Sequence, residues 1–250
     1  MNPSVEHRPV QEPGQLFGAI YAALDLELDW ELLGRAYCEG DSSEFFDAER
    51  RERLLDTGLW IANDLARMFP DTGPRRSVYV GAAVAELAPI LVEHLVLGRE
   101  VHWLNLDTEE SRELARALGR VGASFGVTLP HPSARSLGEF AAGTCDHAWL
   151  VSVLTDPDAF PALHDELYGR HGTELATGRG VLAQEHARAT ELARALLRCA
   201  AGPAILSTTD DELALLVPLA RELGHGIDIP TSFRESALVG DRVRHCQITT

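Results

Sequence analysis

The chain contains no lysine: all 22 basic residues are arginine, against 38 acidic ones, for a formal charge of −16 over 250 residues. Arginine replaces lysine on solvated faces, but it cannot form a Schiff base. Lysine-based aldolase and pyridoxal chemistry, the P-loop lysine and the kinase strand lysine are therefore excluded. No apolar run approaches the roughly 18–20 residues that cross a bilayer, and the opening MNPSVEHRPVQEPGQ has no apolar h-region. A cytoplasmic chain without a membrane partner is expected. Basic clusters are absent too: Arg50-Arg51 and Arg75-Arg76 are short pairs, the first lying between Glu49 and Glu52. An acidic field of this size repels phosphate backbones, so no nucleic-acid partner is expected. The four cysteines (Cys38, Cys145, Cys199 and Cys246) form no C-x-x-C and read as buried thiols. Cys145-Asp146-His147 and His245-Cys246 offer zinc ligand types without paired spacing, so no metal is assigned.

What is present is a change of texture. Residues 1–13 carry three prolines and several charges and read as a loose tail; residues 14–73 read as a helical cap. Leu54, Gly58, Ile61, Leu65 and Met68 form one helical stripe, with N-cap residue types in Asp41-Ser42-Ser43-Glu44 before it and Pro70-Asp71-Thr72-Gly73-Pro74 after it. From residue 74 to 250, short β-prone runs alternate with amphipathic helices. Strands are expected at 77–80, 101–106, 125–129, 147–154, 204–206, 226–229 and 243–248, with helices at 86–97, 108–121, 158–168, 181–200 and 210–223. That alternation predicts an α/β, doubly wound, mostly parallel seven-stranded sheet. The last two strands have no helix between them and should form an antiparallel C-terminal hairpin.

This pattern resembles the class I S-adenosylmethionine-dependent methyltransferases over about residues 75–250. Three stretches carry the resemblance: VYVGAAVAEL (Val78–Leu87) at the glycine-rich turn, VHWLNLD (Val101–Asp107) at the acidic end of the second strand, and DHAWLVSVLTDPDAFPAL (Asp146–Leu163) at the fourth strand and its loop. The resemblance implies S-adenosylmethionine as cofactor, with Gly81, Ala82 and Ala83 at its methionine portion. Asp107 is implied at the ribose, Asn105 as its substitute, and Ser152 and Val153 at the methionine side. The turn departs from the family pattern. Ala83 and Ala85 stand where further glycines are usual, and Tyr79 where an acid is.

Three residues are candidates for acid–base or covering roles. His131 lies between two prolines at the ligand side of the sheet. Asp156 either caps a helix or points a carboxylate into the crevice. Tyr37 covers the crevice if the cap folds over it. The expected function is methyl transfer to a small molecule. A non-catalytic methyltransferase-like binding protein is the alternative, and a nicotinamide-dependent oxidoreductase a lesser one, since G-x-G-x-x-G is missing. Gly122-Ala123-Ser124-Phe125-Gly126 matches G-x-S-x-G but has helix before it and strand after it, the reverse of a nucleophile elbow. It reads as the end of a helix. His94, His102, His147 and His186 read as hydrogen-bonded core histidines rather than ligands.

Overall fold

A computed structural model of the chain describes residues 12–38, 44–69, 73–170, 173 and 176–249. Most of the expected tail, the N-cap run at 41–43 and most of the break at 70–74 lie outside them. The region read as a cap holds three helices: α1 (Pro13–Glu27), α2 (Trp30–Gly34) and α3 (Ala48–Met68). Pro13 begins α1, where its missing N–H costs no hydrogen bond. Asp47 starts α3 by accepting Arg50 N–H at 2.8 Å. The expected stripe of α3 is buried at Leu54, Gly58, Ile61 and Leu65. Gly58 is small because the next helix, α4 (Leu87–Leu95), passes so close that a Cβ there would stand 2.7 Å from Ala88 Cβ.

The sheet is built from β1 (Arg76–Val80), β2 (Glu100–Leu104), β3 (Cys145–Leu150), β4 (Ala200–Thr209), β5 (Gly226–Asp228), β6 (Arg234–Glu235) and β7 (Arg242–Thr249). The helices between them are α4 (Leu87–Leu95), α5 (Glu109–Phe125), α6 (Pro161–Leu167), α7 (Leu182–Cys199) and α8 (Asp210–Glu222). The strand order is β2-β1-β3-β4-β7-β5, with β6 paired to β7. β2, β1, β3 and β4 are parallel; β7 runs antiparallel to β4, and β5 and β6 antiparallel to β7. The expected antiparallel closure is therefore present, with the short β6 added to it.

One expected strand is absent. Residues 125–129 do not form it: α5 runs on to Phe125 and ends on Gly126 in the left-handed region, φ 70°. Only a parallel bridge between Leu104 and Ser133 stands at that edge of the sheet. Phe125, Gly126 and Val127 are taken up by the end of α5, with Val127 N–H donating to Gly122 O, and just beyond them Pro130 and Pro132 remove two donors on one side, so no ladder can run on from there. The G-x-S-x-G stretch is the last turn of α5, with Ser124 Oγ donating to Val121 O at 2.8 Å.

Side-chain alternation sends the sheet's two faces into two cores. Tyr79, Trp103, Trp149, Ile205 and Val243 pack with residues of α1, α3, α4 and α5. Val78, Val80, Ala148, Leu150, Leu206 and Ile248 pack with residues of α7 and α8. At the amino ends of the strands lies a fully buried ionic cluster. Arg99 donates to Glu93 at 3.2 Å and to Asp146, and its guanidinium lies 3.7 Å from the Phe69 ring centroid. Asp146 also accepts the backbone N–H groups of Arg75 and Arg76, each at 3.1 Å. Among the described residues no helix is long and apolar enough to cross a membrane.

Replacing Arg99 with Leu leaves Glu93 and Asp146 buried without their cation. The expected loss is about 3–5 kcal/mol in urea denaturation, with Arg99→Lys intermediate because one ammonium cannot reproduce the planar fork. A Leu variant within 1 kcal/mol of the native chain would show the cluster to be dispensable.

Candidate functional site

In an open parallel sheet the ligand crevice lies beyond the carboxyl ends of the strands. Here that edge carries Gly81 after β1, Asn105 after β2 and the segment 151–156 after β3. Gly81 takes φ 67°, and its N–H donates to Leu104 O at 2.9 Å, which ties the turn to β2. A Cβ at this position would stand 2.5 Å from Val153 Cγ2, so the Val153 side chain covers the glycine. Ala82 is buried, and its carbonyl accepts both Trp103 Nε1 and Asn105 Nδ2 at 2.8 Å. Ala83 N–H donates to Glu86 Oε2 at 2.8 Å, starting a short 3-10 turn (Val84–Glu86) ahead of α4.

The loop beyond β3 is held by a residue not singled out from the sequence. Glu212, buried in the first turn of α8, accepts the N–H groups of Val153 at 2.8 Å and Leu154 at 3.0 Å. It also accepts the Thr208 and Thr209 hydroxyls, both at 3.1 Å. Burial raises its carboxyl pKa against these hydrogen bonds. Ser152 sits at φ 59° with its hydroxyl donating to Asp241 Oδ2 at 2.5 Å. Asp156 caps a turn, accepting Asp158 N–H at 2.7 Å, while α6 starts later, at Pro161 after Phe160.

The cap reaches the crevice through Tyr37, whose hydroxyl donates to Glu110 Oε1 at 2.9 Å. Its ring stacks on Phe45, centroids 5.6 Å apart, and meets Phe46 edge-on. Glu110 also accepts Val84 N–H at 3.3 Å, linking the cap, the β1 turn and α5. Glu86, Glu110 and Asp156 pair with no arginine among the described residues. Burial first, and then the charge of neighbouring carboxylates, raises all three: Glu86 to about 7, Glu110 and Asp156 by direction. Tyr37 is pushed well up by burial and by Glu110, so it is a standing hydrogen-bond donor rather than a base. Glu86 and Glu110 had no sequence signal beyond lying just past a strand end.

The remaining sequence candidates are dispersed. Asn105 is engaged at both ends of its amide, with Oδ1 accepting Leu106 N–H at 2.8 Å. Asp107 is exposed, with Arg112 3.7 Å away. His131 is exposed on the loop that replaces the missing strand, its Nδ1 3.4 Å from Leu129 O. The described residues contain no cluster of three metal-ligating side chains.

Four parallel strands, an antiparallel close through β7 and β5, and a left-handed glycine at the end of β1 together decide the architecture. The fold is of the class I methyltransferase type. No family profile and no curated protein matches the chain. Among solved structures it is similar to magnesium protoporphyrin IX methyltransferase from Synechocystis PCC 6803 with bound S-adenosylmethionine, at 12% identity and TM-score 0.49 over 100% of both chains. It is also similar to an S-adenosylmethionine-dependent O-methyltransferase from Thermotoga maritima (11% identity, TM-score 0.45, 76% of this chain and 65% of that one). A third likeness is the [4+2]-cyclase SpnF (14% identity, TM-score 0.41, 92% of this chain and 79% of that one).

Two outcomes follow from this geometry. Gly81→Ala should lose about 2–4 kcal/mol, from the left-handed backbone and the collision with Val153. Adding Val153→Ala should recover only the collision part; a neutral Gly81→Ala in denaturant titration would contradict the covered turn. For Glu86, a folded pKa of about 7 against an ordinary 4.5 means that the native state holds the proton more tightly. Its contribution to stability is complete below the unfolded value and is lost as pH rises through the folded one. Glu86→Gln accepts the same Ala83 hydrogen bond without titrating. Its stability relative to the native chain should therefore climb from about pH 5 to pH 8, and a flat difference would refute the shift.

Proposed function

We propose that the chain is an S-adenosylmethionine-dependent methyltransferase acting on a small molecule. The carrying observation is the crevice itself: three carboxylates, Glu86, Glu110 and Asp156, gathered at the β1 turn without an arginine partner among the described residues, with only His164 offering positive charge, to Asp156. A ligand bearing a sulfonium and an ammonium supplies the positive charge that this site lacks, and on that ground the donor set fits the cofactor.

When bound, the cofactor supplies an activated methyl group. Gly81 leaves room at the β1 turn for the Val153 side chain, and Val153, lying over it, offers the apolar surface for the methionine portion. Ser152 shapes the same side of the loop. Because Asn105 is engaged with Ala82 and Leu106, Asp107 is the carboxylate free to turn toward the ribose; its pair with Arg112 is long and exposed. Glu110, oriented by Tyr37 and Val84, faces positive charge. Methyl transfer is an in-line displacement, so alignment supplies most of the rate. Asp156 is the base assigned to the acceptor's proton, a role supported by its carboxyl being raised by burial. His131, on its exposed loop, is the secondary choice.

A non-catalytic binding protein of the same fold is the second reading. Its support is the turn, where the Ala82 carbonyl is already saturated and Val153 fills the hollow over Gly81.

Calorimetry with S-adenosylmethionine, S-adenosylhomocysteine and NAD separates the readings. The cationic ligand should bind more tightly than the neutral thioether, and more tightly at pH 8 than at pH 6 as Glu86 ionises through about 7. Glu110→Gln should weaken it about five- to tenfold. No heat with either adenosyl ligand would sink the proposal. Adenosyl binding without methyl transfer to any acceptor would leave the binding-protein reading, and binding of NAD alone would favour oxidoreduction.

A further inference from the structure

Away from the crevice, on the α3 side of the sheet, a cavity of about 400 Å3 opens between the last turns of α3 and the segment from residue 230 to β7. Its apolar walls are Met68, Pro230, Phe233 and Val243, and its charged ones Asp64, Arg67 and Arg234. Arg234 is paired with Asp64 at 2.7 Å, whereas Arg67 is exposed and has no ion-pair partner among the described residues. The charged lining is therefore net positive in a chain that carries −16.

His245 lines the inner end. It is 8% exposed, and its Nε2 is buried without a hydrogen-bond partner. The ring is fixed from behind by a chain of buried groups. His245 Nδ1 meets Ser207 Oγ at 2.8 Å, and Ser207 Oγ meets His147 Nε2 at 3.0 Å. His147 Nδ1 lies 3.0 Å from Glu93 Oε1, at ion-pair distance though poorly aligned for a hydrogen bond. Glu93 also accepts the hydroxyls of Ser77 and Tyr79. Burial opposes its ionisation, but His147 and these hydroxyls outweigh burial and hold its pKa low. A carboxylate here keeps a proton on the facing His147 Nδ1. With His147 neutral, its Nε2 accepts from Ser207, Ser207 accepts from His245 Nδ1–H, and His245 Nε2 presents a lone pair. One further proton on His147 reverses every bond in the chain and makes Nε2 a donor. Burial, with the charge of His147, lowers His245 to about 4, so its ring is neutral in either case near neutral pH.

We infer that this cavity is a binding site for a small apolar or aromatic carboxylate bearing a hydroxyl group. The carboxylate meets Arg67 at the mouth, the ring lies against Phe233 and Met68, and the hydroxyl meets His245 Nε2 when a wall side chain shifts to uncover that nitrogen, which is otherwise closed to solvent. A hydroxyl suits either tautomer, because it both donates and accepts. Unpartnered buried ring nitrogens are costly, and a ligand hydroxyl removes that cost here. The volume lies within the usual range of small-molecule pockets, roughly 300–1,000 Å3. The inference is independent of the transfer reading, and its test needs no adenosyl ligand.

The probe is para-hydroxybenzoate, titrated into the whole chain while the His245 ring nitrogens are followed by NMR, with benzoate and phenol as the two half-ligands. The expected result is a saturable shift at His245 Nε2, with each half-ligand binding at least about fivefold more weakly. Arg67 is a surface residue whose replacement does not disturb packing. Arg67→Ala should weaken para-hydroxybenzoate about five- to tenfold and leave phenol unchanged. Absence of a saturable shift at His245 would overturn the site. So would an Arg67→Ala variant that binds para-hydroxybenzoate as tightly as the native chain.

Discussion

At the amino end of the sheet the guanidinium of Arg99 is enclosed by Glu93 of α4 and Asp146 of β3, with Phe69 from the end of α3 across its face. Buried ions are tolerated only when geometry and hydrogen bonds complete each other, and removing one partner leaves the others desolvated. Asp146 adds the entry of β1 to the cluster through Arg75 and Arg76 N–H. The ends of α3 and α4 and the starts of β1 and β3 are thereby fixed relative to one another, and β2 follows directly after Arg99. With these ends pinned, the opposite, carboxyl ends are placed by strand length alone, which brings Gly81, Asn105 and the 151–156 loop to one edge.

Much of that frame was legible because it is periodic. Helical stripes and β-prone runs follow from side-chain direction, and the antiparallel closure follows from two strands with no helix between them. The expected third strand failed for a local reason the sequence also contained: prolines at alternate positions silence the donors on one side. The sequence offers Tyr37 as a cover for the crevice if the cap folds over it, whereas its partner Glu110 looks like any acid in a helix's first turn. Glu212 had a readable signal, since Thr209-Asp210-Asp211-Glu212 is a capping-box spacing. What the spacing could not tell is that the same carboxylate would also hold Val153 and Leu154 across the sheet edge.

Electrostatic grouping was the least legible property. Arg67, Arg234, Arg242 and Arg244 look like isolated charges in an acidic chain, yet the fold brings the last two over the Phe233 ring and the first two to the cavity beside it. Windowed charge finds only clusters contiguous in sequence. Arg234 pairs with Asp64 across 170 positions, and no local pattern records that.

The crevice carboxylates pose the sharper physical question, because the fold does not need their charge. Glu86 serves Ala83 N–H and Glu110 serves Tyr37 and Val84, roles that a neutral amide or a protonated acid fills about as well. Gathering them in a partly desolvated edge raises each carboxyl and disfavours the ionised state near neutral pH. The amino-end cluster shows the contrasting solution, in which buried carboxylates are met by an arginine that belongs to the fold. At the carboxyl end no such arginine is present among the described residues, although the chain has 22 of them. Carboxylates arranged around a left-handed glycine without an arginine to meet them are suited to a cation from outside the chain. That requirement distinguishes a sulfonium-bearing cofactor from a dinucleotide, whose pyrophosphate the same edge would repel.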